Sequence, residues 1–294
     1  MAQFNINDSN IYINKIYNEN DNYKIVFNNC NTKKCIVFFS GNGLYYPNTV
    51  ENFVNTIVEN DRFEWQNVMK SSLVQVTYEM VILVRDVYKT FYQKGINSSL
   101  DSIEKVLYFL KEKTEGYQVI TCGNSAGGYM ATIAGDFLNA YCVYNFGGQW
   151  DINREKGYFL ENSKDRKYFN IVDCAKQNVF WFYSAYNEYD LLQKEYLDTG
   201  INRLCSFAIA SKYHGDLLLS PCYKEILTLS VEEIRSLSEK YCRKIISQRA
   251  FAKEFLQGKE LIKTYANDIV NHHKSLQLIR KSLTCFVKDF SALK

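Results

Sequence analysis

Continuous apolar runs recur along the chain and are separated by stretches in which apolar residues have helical spacing. The runs are rich in β-branched and aromatic residues, which is typical of buried strands, and they fall at residues 35–39, 80–84, 117–122, 140–146, 179–183 and 204–210. Apolar positions three and four apart predict helices over residues 48–60 and 99–113. Strands that alternate with helices predict an α/β fold with a mainly parallel sheet and helices on both of its faces.

The two ends of the chain show other patterns. Residues 11–17 and 23–27 are rich in Ile, Tyr and Val, which predicts two strands joined by the polar turn at 18–22. From residue 223 onward the spacing of apolar residues predicts helices only. The run at 204–210 is therefore expected to be the last strand.

These patterns divide the chain into a domain at 1–221 and a C-terminal helical extension at 222–294. One helix of the extension is predicted to begin at a capping box formed by Ser230 and Glu233. The extension has too many apolar positions for a solvated tail. We expect it to pack on the first domain, on itself, or on a second copy of the chain in a homo-oligomer. Residues 151–176 are polar and irregular, which predicts a lid or insertion.

Composition and charge narrow the classes of function. Of the 294 residues 47% are hydrophobic, which is enough for a sizeable core, and the net charge of +3 gives no reason to expect a nucleic-acid partner. The extension holds 14 Lys and Arg against 8 Asp and Glu, so the basic character is local. The nine cysteines lack metal-like spacing, and no apolar run approaches the ~20 residues of a transmembrane segment. With no signal-peptide pattern at the start, we expect a reduced, soluble, cytoplasmic protein.

The candidate chemistry centres on Ser125. It lies in the sequence Gly-Asn-Ser-Ala-Gly-Gly over residues 123–128, directly after a predicted strand and before a predicted helix. A serine at the tip of a sharp strand-to-helix turn requires small neighbours, and this context makes the Gly-x-Ser-x-Gly pattern typical of a nucleophilic serine. The alternative is a glycine-rich turn that only connects two elements.

A serine nucleophile needs a base, and the chain has only three histidines. His272 and His273 lie in a charged helical segment, whereas His214 follows the run at 204–210. We therefore favour His214 as the base. Two carboxylates, Glu188 and Asp190, follow the preceding strand and are both candidates for the acid that orients it; Asp173 and Asp216 are weaker candidates. The order serine, acid, histidine is the order of α/β hydrolases.

An oxyanion formed during attack by Ser125 would need two preorganised donors. We assign these roles to the backbone N–H groups of Ala126, directly after the serine, and of Asn42, in the Gly-Asn-Gly sequence that follows the run at 35–39. No metal or cofactor is expected. The Gly-Asn-Gly sequence lacks the further glycine and the lysine of a phosphate-binding loop.

Together these residues resemble the α/β-hydrolase superfamily over roughly residues 23–220: the Gly-rich sequence around Ser125, the sequence Phe-Ser-Gly-Asn-Gly at 39–43, Asp190 and His214. More narrowly, the chain is similar to hydrolase-like proteins encoded in bacterial capsule and surface-polysaccharide loci. Shorter motifs carry that similarity, at residues 84–86, 146–149, 183–190 and 211–215. The resemblance favours Asp190 over Glu188 as the acid. The chain departs from lipase-like esterases because it has no His-Gly-Gly-Gly sequence.

Two functions fit these observations. The first is a serine acyl-transfer enzyme with a Ser125–Asp190–His214 triad, acting on a small-molecule or carbohydrate acyl substrate. Transfer to water would make it an esterase; transfer to a sugar hydroxyl would make it an O-acyltransferase, which needs an acyl donor such as acetyl-CoA. Aromatic residues near the expected site are candidates for stacking on sugar rings: Tyr45, Tyr46, Trp150, Tyr186 and Tyr189. The second function is a non-catalytic binding or assembly component of a surface-polysaccharide pathway, with the basic C-terminal helices carrying the interaction.

Overall fold

An eight-stranded sheet forms the centre of the computed structural model, which describes residues 10–153, 168–197, 204–214 and 223–247. Its strands are β1 (Tyr23–Phe27), β2 (Lys34–Phe39), β3 (Met80–Val84), β4 (Gln118–Asn124), β5 (Cys142–Phe146), β6 (Val179–Ser184), β7 (Leu204–Ile209) and β8 (Ile245–Ile246). The strand order is β1-β3-β2-β4-β5-β6-β7-β8. Only the β1–β3 pair is antiparallel among these neighbours, so the predicted, mainly parallel sheet is confirmed.

Helices cover this sheet and connect its strands. They are α1 (Ile11–Glu19), α2 (Val50–Phe53), α3 (Gln66–Met69), α4 (Ser72–Thr77), α5 (Ile103–Lys113), α6 (Ala126–Phe137), α7 (Glu188–Glu195), α8 (Tyr223–Ile226) and α9 (Val231–Lys240). A π-helical turn over Val54–Glu59 continues α2, and a short 3-10 helix spans Val172–Cys174. No helix in the described part of the chain is both long and apolar enough to cross a bilayer.

The two faces of the sheet each bury a separate apolar core. Alternation along β2 shows the division, because Val37 and Phe39 belong to one core and Ile36 and Phe38 to the other. The first core is completed by α5 and α6, and the second by α3, α4, α8 and α9. The prediction of helices on both faces is therefore confirmed.

The prediction of a strand at residues 11–17 is wrong, because this segment forms α1. The Asn10 side chain accepts hydrogen bonds from the backbone N–H groups of Tyr12 and Ile13 at 3.0 and 3.3 Å, which caps the helix. The buried residues Ile13 and Ile16 are three positions apart and pack on one side of the helix. A cap and a three-residue spacing outweigh the strand preference of Ile and Tyr here.

The prediction that the chain is only helical after residue 223 is also wrong. Strand β8 pairs in parallel with β7, so the run at 204–210 is not the last strand. The capping box predicted at the start of α9 is present, with Ser230 and Glu233 each accepting the other's backbone N–H. Most of the predicted extension, residues 248–294, lies outside the described residues, as does the central part of the predicted lid at 154–167.

Candidate active site

Ser125 lies between the end of β4 and the start of α6 with a backbone φ of 52° and ψ of −122°. A positive φ is unfavourable for a residue with a side chain, so close packing must hold this turn in place. The packing is visible at Gly127, where a Cβ atom would overlap the carbonyl oxygen of Phe39, and at Gly123, where it would overlap the backbone of Gly127. The turn therefore fits only with glycine at these two positions, and it leaves Ser125 partly accessible.

The two backbone groups predicted to bind an oxyanion lie at neighbouring strand ends. Ala126 is the first residue of α6, and the first N–H groups of a helix have no partner within it. Asn42 is partly exposed and follows the end of β2, which is hydrogen-bonded to β4. Gly41 makes a close approach here, since a Cβ atom on it would lie 2.5 Å from the carbonyl oxygen of Asn124. The structure thus brings these loops together; the roles of Asn42 and Ala126 stay a prediction.

A carboxylate that the sequence analysis did not single out joins these two loops. Glu64 Oε2 accepts the backbone N–H of Gly41, and Glu64 Oε1 lies 3.5 Å from the side-chain nitrogen of Asn124. Burial raises the pKa of the Glu64 carboxyl, although its hydrogen bonds with Gly41 and Asn124 act in the opposite direction. Because the N–H of Gly41 is occupied, Asn42 is the next backbone donor along this loop.

Asp86 organises a second loop beside the loop that carries Gly41 and Asn42. Its buried carboxylate accepts the backbone N–H groups of Tyr88, Thr90 and Tyr92 at 3.0, 2.7 and 2.8 Å. The hydroxyl of Tyr92 in turn donates to the carbonyl oxygen of Ser40 at 2.8 Å. Asp86 therefore supports the end of β2 from a distance, and its burial raises its pKa.

His214 and Asp190 form a hydrogen-bonded pair between His214 Nδ1 and Asp190 Oδ1. The carboxylate of Asp190 is only 1% exposed, and its second oxygen accepts the backbone N–H of Ser184 at 2.7 Å. The side chain of Glu188, the alternative acid, is exposed to solvent instead. The structure thus brings Asp190 rather than Glu188 to the histidine. Asp216 lies outside the described residues.

The elements that hold this pair are local to β6, α7 and the loop after β7. Asn187 caps α7 by accepting the backbone N–H of Asp190 at 3.2 Å, which fixes the carboxylate in the first helical turn. The same Asn187 donates its side-chain N–H to the carbonyl oxygen of Lys212 at 3.0 Å. Ser184 donates its hydroxyl to the carbonyl oxygen of Tyr213 at 2.7 Å. These bonds tie the loop that carries His214 to the helix that carries Asp190.

The second ring nitrogen of His214 remains available. Its Nε2 atom is buried and has no hydrogen-bond partner in the structure. Ser125 Oγ is hydrogen-bonded not to this nitrogen but to Gln149, whose Nε2 atom lies 3.4 Å away. The hydrogen bond from a catalytic serine to its base often tightens only in the complex with substrate.

Of the aromatic residues considered for sugar stacking, two are core residues. Tyr45 and Trp150 are buried, so they cannot present a ring face to a ligand. Tyr46 and Tyr186 are exposed, and Tyr189 is partly buried with its ring edge-to-face against His214. Within the described ranges no group of three or more His, Cys, Asp or Glu side chains could hold a metal ion.

The sheet, the helices on its two faces and the sharp turn at Ser125 define an α/β-hydrolase-type fold. No protein-family model matches the chain, and no curated protein matches it. Among solved structures it is similar to the capsule O-acetyltransferase of Neisseria meningitidis serogroup A, at 13% identity over 75% of this chain and 92% of that one, with a TM-score of 0.49. It is also similar to an alpha/beta hydrolase superfamily protein from Enterococcus faecalis, at 14% identity, 74% and 94% coverage and a TM-score of 0.43. A third similar structure is esterase B from Lactobacillus rhamnosis, at 10% identity, 75% and 87% coverage and a TM-score of 0.44.

Proposed function

We propose that this protein is a serine-nucleophile acyl-transfer enzyme that forms an acyl intermediate on Ser125. The observation that carries the proposal is the pairing of a buried Asp190 carboxylate with His214 Nδ1, which leaves His214 Nε2 without a partner. A serine hydroxyl becomes nucleophilic near neutral pH when a nitrogen such as Nε2 can accept its proton.

The proposed reaction has two halves. Ser125 Oγ attacks the acyl carbonyl carbon while its proton passes to His214 Nε2. The leaving atom, which is the oxygen of an ester or the sulfur of acetyl-CoA, then takes that proton as its bond to the acyl carbon breaks. Asp190 holds the imidazole in the required orientation and stabilises its positive charge. The N–H groups of Asn42 and Ala126 stabilise the oxyanion. In the second half, water or a sugar hydroxyl attacks the acyl-Ser125 carbonyl carbon and gives its proton to His214 Nε2. The bond from that carbon to Ser125 Oγ then breaks, and His214 returns the proton to Oγ.

We propose a carbohydrate as the substrate because shorter motifs of the chain resemble those of proteins encoded in surface-polysaccharide loci. An acylated surface carbohydrate is therefore the proposed substrate of an esterase, or the proposed product of an O-acyltransferase that uses a donor such as acetyl-CoA. The two activities use the same triad and differ only in whether water or a hydroxyl is positioned at the acyl-enzyme.

The test is intact-protein mass spectrometry after incubation with a panel of acyl donors, including acetyl-CoA and p-nitrophenyl acetate. The proposal expects a mass increase equal to one acyl group, located on Ser125 by peptide mapping and absent from Ser125→Ala. Added acceptor sugars should shorten the lifetime of this species if the protein is an acyltransferase. If the protein is never acylated and shows no turnover with any donor, the result would instead favour the non-catalytic binding component.

Measuring surface-glycan acylation in cells that carry each variant also distinguishes these two functions. Under the catalytic proposal, the surface glycan of the Ser125→Ala strain has an altered degree of acylation. Cutting the chain after residue 256 instead alters the stability or oligomeric state of the protein. Normal glycan in the Ser125→Ala strain together with defective glycan in the truncated strain would contradict the catalytic proposal.

A further inference from the structure

Gln149 occupies a position next to the proposed nucleophile that the triad does not explain. It follows β5 in a Gly-Gly-Gln sequence, and its side chain is almost wholly buried, with 2% exposure. Its Nε2 atom lies 3.4 Å from Ser125 Oγ and 2.9 Å from the hydroxyl oxygen of Tyr189. The side-chain amide therefore lies between the serine and a tyrosine of α7.

The turn before Gln149 is built so that it lies close to the start of α6. The side-chain oxygen of Asn145 accepts the backbone N–H of Gly148 at 2.6 Å, which closes the turn after β5. A Cβ atom on Gly148 would lie 2.5 Å from the carbonyl carbon of Gly128, so backbone meets backbone at this point. This contact brings the next residue, Gln149, to the Ser125 turn.

The bonds of Gln149 differ from those expected of a structural glutamine. Its Oε1 atom is buried and has no hydrogen-bond partner in the structure, and a buried acceptor without a partner is destabilising. The nearby Gln193 shows the structural pattern, since its Oε1 accepts two backbone N–H groups and its Nε2 donates to a backbone carbonyl. Gln149 uses only its nitrogen, and both of the bonds made by that nitrogen lead to residues of the proposed site.

Tyr189 links this amide to the proposed base. Its ring lies edge-to-face against the His214 ring, with 5.3 Å between ring centroids and an interplanar angle of 88°. Its hydroxyl accepts the hydrogen bond from Gln149. The side chains of Tyr189 and Gln149 thus connect His214 to Ser125.

We propose that Gln149 is a further catalytic residue that donates a hydrogen bond to Ser125 Oγ, and that Tyr189 is the positioning residue that holds its amide. The proposal rests on the proposed function of Ser125 as nucleophile. A donor on one lone pair of Oγ leaves the hydroxyl hydrogen free to face His214 Nε2, and it stabilises the negative charge that develops on Oγ during attack. Gln149 transfers no proton, because the serine proton still passes to His214.

The test compares Gln149→Met, which keeps the side-chain length, with Tyr189→Phe, the double variant and the control Tyr108→Phe, which changes an exposed tyrosine on α5. The readouts are the labelling rate of Ser125 by a fluorophosphonate, and kcat and KM for p-nitrophenyl acetate. Loss of one hydrogen bond predicts rates about 3- to 10-fold lower for Gln149→Met, through kcat rather than KM. Tyr189→Phe should show a smaller loss, the double variant no more than Gln149→Met, and Tyr108→Phe none.

Different results would contradict the role of Gln149 and the proposed function of Ser125. Wild-type protein that is not labelled at Ser125 overturns the proposed function. Labelling that is normal in both Gln149→Met and Tyr189→Phe, but lost in Ser125→Ala, overturns the inference alone. Independent, multiplying losses in the double variant would contradict the positioning role of Tyr189. If Gln149→Met does not fold, Tyr189→Phe decides the matter, since a wild-type rate in that variant overturns the inference.

Discussion

Asp190→Asn tests how the proposed base is held in its working tautomer. One carboxylate oxygen of Asp190 accepts the backbone N–H of Ser184 at 2.7 Å, and the other bonds to His214 Nδ1. A backbone N–H can only donate, so the asparagine carbonyl oxygen must face Ser184 and its NH2 group must face His214. Nδ1 must then accept that bond, which places the imidazole proton on Nε2 and removes the lone pair that would take the proton of Ser125.

The expected loss in kcat is about 10²- to 10⁴-fold, equivalent to about 3 to 5 kcal/mol in activation free energy. The fold should be unchanged, since both hydrogen bonds of residue 190 keep a partner. The assay is p-nitrophenyl acetate hydrolysis with the melting temperature measured in parallel, and Glu188→Gln is the matched control because Glu188 is exposed in the same helical turn. Near-normal activity in Asp190→Asn together with a large loss in Glu188→Gln would refute this account of the acid.

Three further predictions concern the packing around the site. Gly127→Ala should destabilise the protein by about 3 kcal/mol or more because its Cβ atom overlaps the carbonyl oxygen of Phe39, whereas Gly43→Ala, which enters open space, should change stability by less than about 0.5 kcal/mol in denaturant unfolding. Burial lowers the pKa of Lys89 to about 7 from 10.5, so between these pH values the unfolded chain holds more protons than the folded chain. The free energy of unfolding should therefore rise with pH across that window, by on the order of 4–5 kcal/mol. Lys89→Met should remove this part of the pH dependence when unfolding is measured from pH 6 to 10.5. Glu64→Ala, which removes the acceptor shared by Gly41 and Asn124, should slow fluorophosphonate labelling of Ser125 about 10-fold, and Glu64→Gln, which keeps an acceptor, should stay within about 3-fold of wild type.

Local patterns were sufficient to predict most strands of the sheet and the turn at Ser125. The strands of the core are continuous apolar runs whose flanking polar residues mark their ends, and β3 spans the predicted residues 80–84. The sequence around Ser125 carries its own constraint, since glycines two residues to either side are needed for the turn to fit. Each of these features depends on residues close together in the chain.

The features that the sequence analysis missed depend on distant contacts. Strand β8 is only two residues long, and its pairing with β7, not its composition, makes it a strand. The apolar pattern over residues 61–79 predicts no element, so nothing marked Glu64, whose partner Gly41 is 23 positions away. Gln149 lies 24 positions from Ser125, and its position beside the serine depends on how β5 and α6 pack. The Gly-Gly sequence before Gln149, at the end of a predicted strand, was the one local indication of a close approach.

The most direct measurement of the central claim is covalent labelling of the full-length protein by a fluorophosphonate probe, with the modified residue identified by mass spectrometry. The account predicts one modified residue, Ser125, with labelling that disappears in Ser125→Ala and falls by on the order of 10³-fold in rate in His214→Ala, because the members of a triad act as a unit. Labelling that persists on another serine in Ser125→Ala, or a folded wild-type protein that does not react, would contradict the assignment of Ser125 as the nucleophile.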